Sequence, residues 1–413
     1  MTCKELRVSP YAVSETATQS TGDLQAVELV EDYQEGDAFF SSGSCTLLGK
    51  ELEPLDVPGA GSESREPLAA HIARALKLSP GSVVMGALPF DSEIPPRLVV
   101  PRRVRRAGPL AVAPRRWHAR FDSAFAMRSV PSPDAYRYAV SHALSLIESK
   151  QLTKVVVARS LELDWQEPVD VSALLKALLA RRHGIGFAMD LGTAAKNELR
   201  RRTLFGISPE LLVRRRGSLV SSQPLAGSAP RHQDPAQDGR AALRLLASEK
   251  DRREHAVVVR AVVDCLRQHC SNVEHAAEPA LVQTETLWHL GTEIRGVLRN
   301  SATTSLELAL SLHPTPAVCG HPLSAARRAI ALLEPFQRGF FAGAVGWCDA
   351  GGDGEWAVTI RAGEVEETRL RLYAGAGIVA GSDPALELAE TSAKLNTLLR
   401  ILGVRCDSQG AHS

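Results

Sequence analysis

The chain has 413 residues, 44% of them hydrophobic and 23% charged, which is a globular composition sufficient for one large domain or two medium ones. A formal net charge of +1 offers no global field to draw the chain onto nucleic acid or an acidic membrane. No stretch approaches the roughly 18–20 apolar residues needed to cross a bilayer, and the first residues lack the basic start and apolar core of a signal peptide.

The seven cysteines are odd in number, scattered and nowhere spaced as CxxC. They read as free thiols or small buried hydrophobes in a reducing cytoplasm. Only nine of the 48 basic residues are lysine, so each lysine merits attention.

In chain order, residues 24–57 read as short apolar runs broken by Gly, Ser and Asp, consistent with strands, and GSVVMGALPFD (81–91) as a buried strand leaving through a turn. From Ile94 to Arg120 prolines alternate with arginines, including Arg102, Arg103, Arg105, Arg106, Arg115 and Arg116. The prolines break any basic helix, so this region reads as a solvated connection and not a nucleic-acid surface. Residues 134–150 have helical periodicity, 155–165 read as strand, Val171–Leu179 as helix and 211–228 as a hairpin turning near Gly217.

A long helix is expected from about Ser248 to Cys270, and shorter ones at 305–312 and 323–333, each stopped by a proline. Closely spaced strands follow between Ala342 and Gly377, too near one another for crossover connections. A last helix opens with Asp383 as N-cap and Pro384 at its first position, and ends at Gly403. The expected class is α+β, with large, mainly antiparallel sheets packed as a sandwich and flanked by helices. No dinucleotide or phosphate-loop glycine motif is present.

Several charged residues sit where structure alone would not place them. Glu254 lies one turn before Val257 and Val258, and a carboxylate on an apolar stripe is costly unless a cation meets it. Glu249 and Arg253 can pair on the solvent side, leaving Glu254 unclaimed. Glu387 and Glu390 share a face of the last helix, and Lys394 follows Glu390 by four. These are either an exposed ion pair or, for Glu254 and Glu390 together, a site for a hard divalent cation whose shell is completed by water and substrate. Lys154 enters an apolar strand, either snorkelling to water or buried with a lowered pKa in the range of a general base. Glu210 follows Pro209 at a turn into a strand, as a surface residue or a protonated acid. PLAGSAPR and YAGAGIV place Gly227 and Gly375 where a backbone can approach a small anion closely.

Taken in order, KVVVARSLEL, GISPELLVRR, QPLAGSAPR, LLASEKDRREH, TLWHL, LHPTPAVCG, LEPFQRGFFAGAVGWCD, EWAVTIRAG, LYAGAGIV and ETSAK resemble the chorismate-utilising enzymes over Lys154–Leu402. VSPYAV and VVMGALPFD near the start match more loosely. The likeness is strongest to siderophore-pathway isochorismate synthases. It implies one compact domain over residues 1–413, with a sheet-building part at 1–125 and a chorismate-binding catalytic region at 126–405.

Carried over residue by residue, the resemblance implies Lys154 as the base that activates water and Glu210 as the acid that protonates the departing hydroxyl. It implies Glu254 and Glu390 as Mg²⁺ ligands, and Ser228, Gly227, His289, Ala317, Arg361, Gly375 and Lys394 at the substrate. Arg361 suits a carboxylate because a guanidinium binds one bidentately. Water must add at C2 of chorismate while hydroxide leaves C4, and neither species is competent near neutrality without a base and an acid. Mg²⁺ on the ring carboxylate would neutralise and orient it.

Relatives that use ammonia generally lack the water-activating lysine. Salicylate-forming relatives, which go on to eliminate pyruvate, tend to carry threonine and tyrosine where this chain has Ala317 and Phe341. The implied activity is therefore isochorismate synthesis, an isomerisation, with 2,3-dihydroxybenzoate siderophore supply as its use. Salicylate formation is the alternative. A monomer with no nucleic-acid or membrane partner is the implied state.

Overall fold

The fold is described from a computed structural model covering residues 21–55, 82–91, 93–111, 113–114, 117, 125–181, 184–193 and 201–404. The VSPYAV segment (8–13), Arg115 and Arg116 lie outside these residues. Seventeen described strands form one antiparallel, hydrogen-bonded path. It runs from Cys270–His275 through Ile294–Leu298, Leu219–Gln223, Leu211–Arg216, Gly354–Val358 and Ala344–Asp349 to Val83–Leu88. It continues through Arg97–Ala107, Thr46–Pro54, Ala38–Ser41, Ile185–Thr193, Arg201–Ser208, Ala362–Glu366 and Arg369–Val379 to Lys154–Trp165. Phe125–Val130 and Gly320–His321 pair with parts of that last strand. A separate sheet joins Leu225–Pro230, Leu287–Gly291 and Ala280–Gln283.

The two arms of the path face each other, as the sandwich expectation holds. Phe40, Phe187, Leu204 and Ala362 from one arm share a core with Met85, Val345 and Ala357 from the other. Their neighbours in sequence point outward into helix-covered cores: Phe39, Ala188 and Phe205 into one, Val84, Ala344 and Trp356 into another. This period-two division makes both faces of the strands apolar, since a one-residue slip would exchange the cores. Eight described helices cover the outside, and none is long and apolar enough to cross a membrane.

The helix at Val171–Leu179, the long helix Glu249–His269 capped by Ser248, and the final helix Pro384–Ile401 capped by Asp383 fall where the sequence places them. Two expectations are corrected. The stretch read as strands from residue 24 begins instead with the helix Thr21–Glu31. Ala26, Leu29, Val30 and Tyr33, all buried, follow helical and not alternating spacing.

The supposed connection after Ile94 contains the strand Arg97–Ala107. Pro101 is tolerated because pairing with Val83–Leu88 stops at Val99, so its missing N–H faces no partner there. The arginines are matched: Arg102 with Glu53, Arg103 with Glu51, Arg105 with Asp32, and Arg106 stacked over Trp347. A smaller expectation also fails, because no ion pair joins Glu249 to Arg253; Arg252 pairs instead, with Glu278 at 2.5 Å.

Candidate active site

A cavity of about 690 Å³, part of it open to solvent, lies where the sheet edge, the small sheet and the two long helices meet. One wall is the strand Arg369–Val379, whose Tyr373, Gly375 and Gly377 occupy one face by alternation and line it. The glycines are demanded by space. A methyl on Gly377 would overlap Glu254 Oε1, and one on Gly375 would press on Val156 at 3.0 Å.

Ten of the eleven anticipated residues line this cavity: Glu210, Gly227, Ser228, Glu254, His289, Ala317, Arg361, Gly375, Glu390 and Lys394, together with Phe341. The exception is Lys154. It is completely buried, packed behind Gly377 and Glu254, with its Nζ 2.9 Å from Glu254 Oε1 but aligned with no hydrogen-bond acceptor. The snorkelling alternative is thereby excluded.

Glu210 sits between the strands Arg201–Ser208 and Leu211–Arg216, its N–H held by Ser208 Oγ at 3.2 Å and its carbonyl by the Val358 N–H at 3.1 Å. Its Oε1 accepts only a long bond, 3.4 Å, from the Leu225 N–H. Burial pushes this carboxyl up to about 7, against the pull of that N–H and of the Lys154 and Arg361 charges. A carboxyl so placed can hold a proton near neutrality and deliver it.

Arg361 occupies the break between Gly354–Val358 and Ala362–Glu366 with a φ of 51°, a conformation few non-glycine residues adopt. Its Nη2 donates to His289 Nε2 at 3.2 Å. Burial, then the Arg361 charge, hold His289 well below an ordinary imidazole. The ring is therefore neutral, accepting from Arg361 through Nε2, which leaves its other nitrogen to donate to the Gly227 carbonyl. Gly227 is the bulge residue of its strand, at φ 77°, with Asp251 packed against the place a Cβ would take.

The carboxylates come from two helices and are interleaved with lysines. Glu254 meets Lys154, Glu390 meets Lys394 at 2.6 Å, and Glu387 meets Lys250 at 2.8 Å. Lys394 also donates to the Gly375 carbonyl at 2.8 Å, fastening the last helix to the cavity wall. Burial, the largest influence, would raise Glu390, but Lys394, the Ser228 hydroxyl and Lys250 together hold the carboxylate below its usual range. Asp251 and Glu387 are pushed upward by burial first and then by neighbouring carboxylates. These crowded hard oxygens suit a divalent cation. Among the described residues no three His, Cys, Asp or Glu side chains close around one point.

The match to known proteins agrees with this geometry. A family model described as "Chorismate binding enzyme" covers residues 109–403. The chain belongs to the chorismate-binding enzyme family. Isochorismate synthase DhbC of Bacillus subtilis is 47% identical over 388 residues, spanning 92% of this chain and 97% of the relative. Isochorismate synthase EntC of Escherichia coli is 40% identical over 78% of this chain and 81% of its own. A Bacillus anthracis protein described provisionally as a 2,3-dihydroxybenzoate-specific isochorismate synthase superposes with a TM-score of 0.86 at 42% identity, covering 92% of this chain and all of its own. The menaquinone-specific isochorismate synthase MenF of E. coli shares the fold at a TM-score of 0.74 and 23% identity, over 94% of this chain and 92% of its own.

Within this chorismate-binding frame, sequence reading missed Lys250 and gave Glu387 no role, although both join the carboxylate–lysine set. The scarcity of lysine was the available signal. Three of the nine lysines meet at this one site.

Proposed function

We propose that this chorismate-binding enzyme is an isochorismate synthase, an isomerase that adds water at C2 of chorismate and expels the C4 hydroxyl, serving 2,3-dihydroxybenzoate siderophore synthesis. The observation that carries the reading is a buried carboxyl, poised near neutrality on the cavity wall, with a completely buried lysine packed directly behind that wall. Names of relatives at 40–47% identity point to the same reaction.

In this reading Glu210 holds the proton that the departing hydroxyl takes. Lys154, buried beside Glu254 behind the cavity wall, removes the proton from the incoming water. The two groups act in opposite senses, which a single ionisable group could not do in one step. Arg361, oriented by the neutral His289, clamps a substrate carboxylate, and the buried Ser228 hydroxyl beside Glu390 supplies a further polar contact. Glu254 and Glu390 would hold Mg²⁺, which when bound supplies charge neutralisation at a substrate carboxylate.

Ala317 and Phe341 bear on where the reaction stops. Both line the cavity, and Phe341 stacks on Tyr373 with ring centres 4.8 Å apart, presenting no hydroxyl there. That apolar wall supports isochorismate as the released product. The woven sheet supports a single domain, and the five described cysteines, all unpaired, suit a reducing cytoplasm. A monomer rests on the family resemblance alone.

Purified protein with Mg²⁺ and chorismate, but no ammonia or glutamine, should yield isochorismate by chromatography. Salicylate with pyruvate as the dominant product would overturn the product assignment. Glu254→Gln or Glu390→Gln should raise the Mg²⁺ concentration for half-maximal rate, and an unchanged titration would remove these residues from the metal site.

A further inference from the structure

A second cavity shares no lining residue with the first. It is a groove of about 790 Å³, open to solvent along one side, between the helix Glu249–His269 and residues 275–279. Its apolar bed comes from Val259 and Val263 on the helix and Ala276, Ala277 and Pro279 opposite. Its rim is mainly basic: Arg252, Arg260 and Arg267 lie along the helix, with one carboxylate, Asp264, among them and His275 across from them.

Two of those arginines are already matched. Arg252 pairs with Glu278, and Arg267 with Asp264 at 3.3 Å. Arg260 is exposed and has no ion pair among the described residues. The groove also contains an orphaned polar group. His255 is 2% exposed; its Nε2 lies 2.7 Å from Thr292 Oγ1, while Nδ1 has no hydrogen-bond partner. Buried polar atoms are nearly always satisfied, so an unpartnered nitrogen on a residue that lines the groove points to a ligand or water that completes it.

We infer that this groove binds a small organic anion with an apolar body, an aromatic or branched carboxylate, at a site separate from the catalytic cavity. The carboxylate meets Arg260, the body covers Val259 and Val263, and a polar substituent reaches His255. A purely inorganic anion would leave the apolar bed uncovered, and an uncharged hydrocarbon would leave Arg260 unmet.

The test uses 4-fluorobenzoate followed by ¹⁹F NMR with the full-length protein. Binding should saturate. Arg260→Glu should weaken it about tenfold or more, as loss of a charge-assisted hydrogen bond does. Ala256→Phe, which fills the groove from an exposed helix position, should weaken it similarly. Arg361→Ala, which removes the carboxylate clamp of the catalytic cavity, should leave it within about twofold. Both groove variants change exposed residues, and an unchanged melting temperature verifies their fold. No saturation up to about 10 mM would overturn the inference. So would binding that survives both groove variants, or binding lost in Arg361→Ala, which would place the probe in the catalytic cavity.

Discussion

Replacing Glu210 by glutamine should make the protein more stable at alkaline pH. The carboxyl is buried and its pKa stands at about 7, against 4.5 when unperturbed. A folded-state pKa above the unfolded one means that the group's stabilising contribution is complete below about 4.5 and is lost as pH rises through about 7. At roughly 1.36 kcal/mol per pKa unit, the full loss in the wild type is about 3 kcal/mol, of which about 2.5 kcal/mol develops between pH 5 and 8.

Glutamine keeps the shape and an acceptor for the Leu225 N–H but never ionises, so it escapes this loss. With an unfolding entropy of roughly 2.1 cal/mol/K per residue, the melting temperature of E210Q relative to wild type should rise by about 3 °C between pH 5 and pH 8. Scanning calorimetry of both proteins at several pH values reads this directly. A difference that stays constant across the range would show that Glu210 ionises as an ordinary surface carboxylate, and the assignment of a proton to it near neutrality would fall. Its role as an acid would fall with it.

Other expectations follow from the same geometry. Turnover should decline as pH rises through about 7, because Glu210 must be protonated to act as an acid; a flat profile from pH 6 to 9 would contradict this. Lys154→Ala should lower kcat about 10²–10⁴-fold with the circular dichroism spectrum unchanged, and near-normal turnover would remove Lys154 from the mechanism. Gly377→Ala forces a methyl against Glu254 Oε1 and should cost on the order of 10²-fold in kcat/KM; normal kinetics would mean that the carboxylate swings aside freely. Arg338→Met breaks a pair with Glu334 that is 1% exposed on both sides. It also frees the Val156 and Val318 carbonyls, so it should cost about 3–5 kcal/mol, seen as a lower melting temperature, whereas an unaltered melt would show that the pair contributes nothing net.

Helices with clear caps and periodic apolar faces were legible in the sequence, as were the closely spaced late strands. The Arg97–Ala107 strand was not, because proline and arginine speak against a strand locally. What admits them is tertiary: an opposing strand that supplies Glu51 and Glu53, and a neighbour that ends before Pro101. At the site, the residue types and their order were readable from family likeness, and ten of eleven positions do face one cavity. The depth of Lys154 was not readable, since a strand-end lysine looks the same whether its end is wet or sealed by Gly377 and Glu254. Lys250 and Glu387 stayed invisible for a related reason. Their partnership joins two helices more than a hundred residues apart, and no local spacing encodes it.

The position of the first strands within the sheet has consequences for how the chain is made. Ala38–Ser41, Thr46–Pro54, Val83–Leu88 and Arg97–Ala107 form the middle of the path and join its two arms. Their outer partners, Ile185–Thr193 and Ala344–Asp349, lie far downstream, so strands synthesised early keep open edges until most of the chain has emerged. Assembly is thus dominated by long-range pairing, which is slow and exposes sticky edges during synthesis. Cutting the chain near residue 125 would leave both fragments with unpaired edges and not a free-standing catalytic piece.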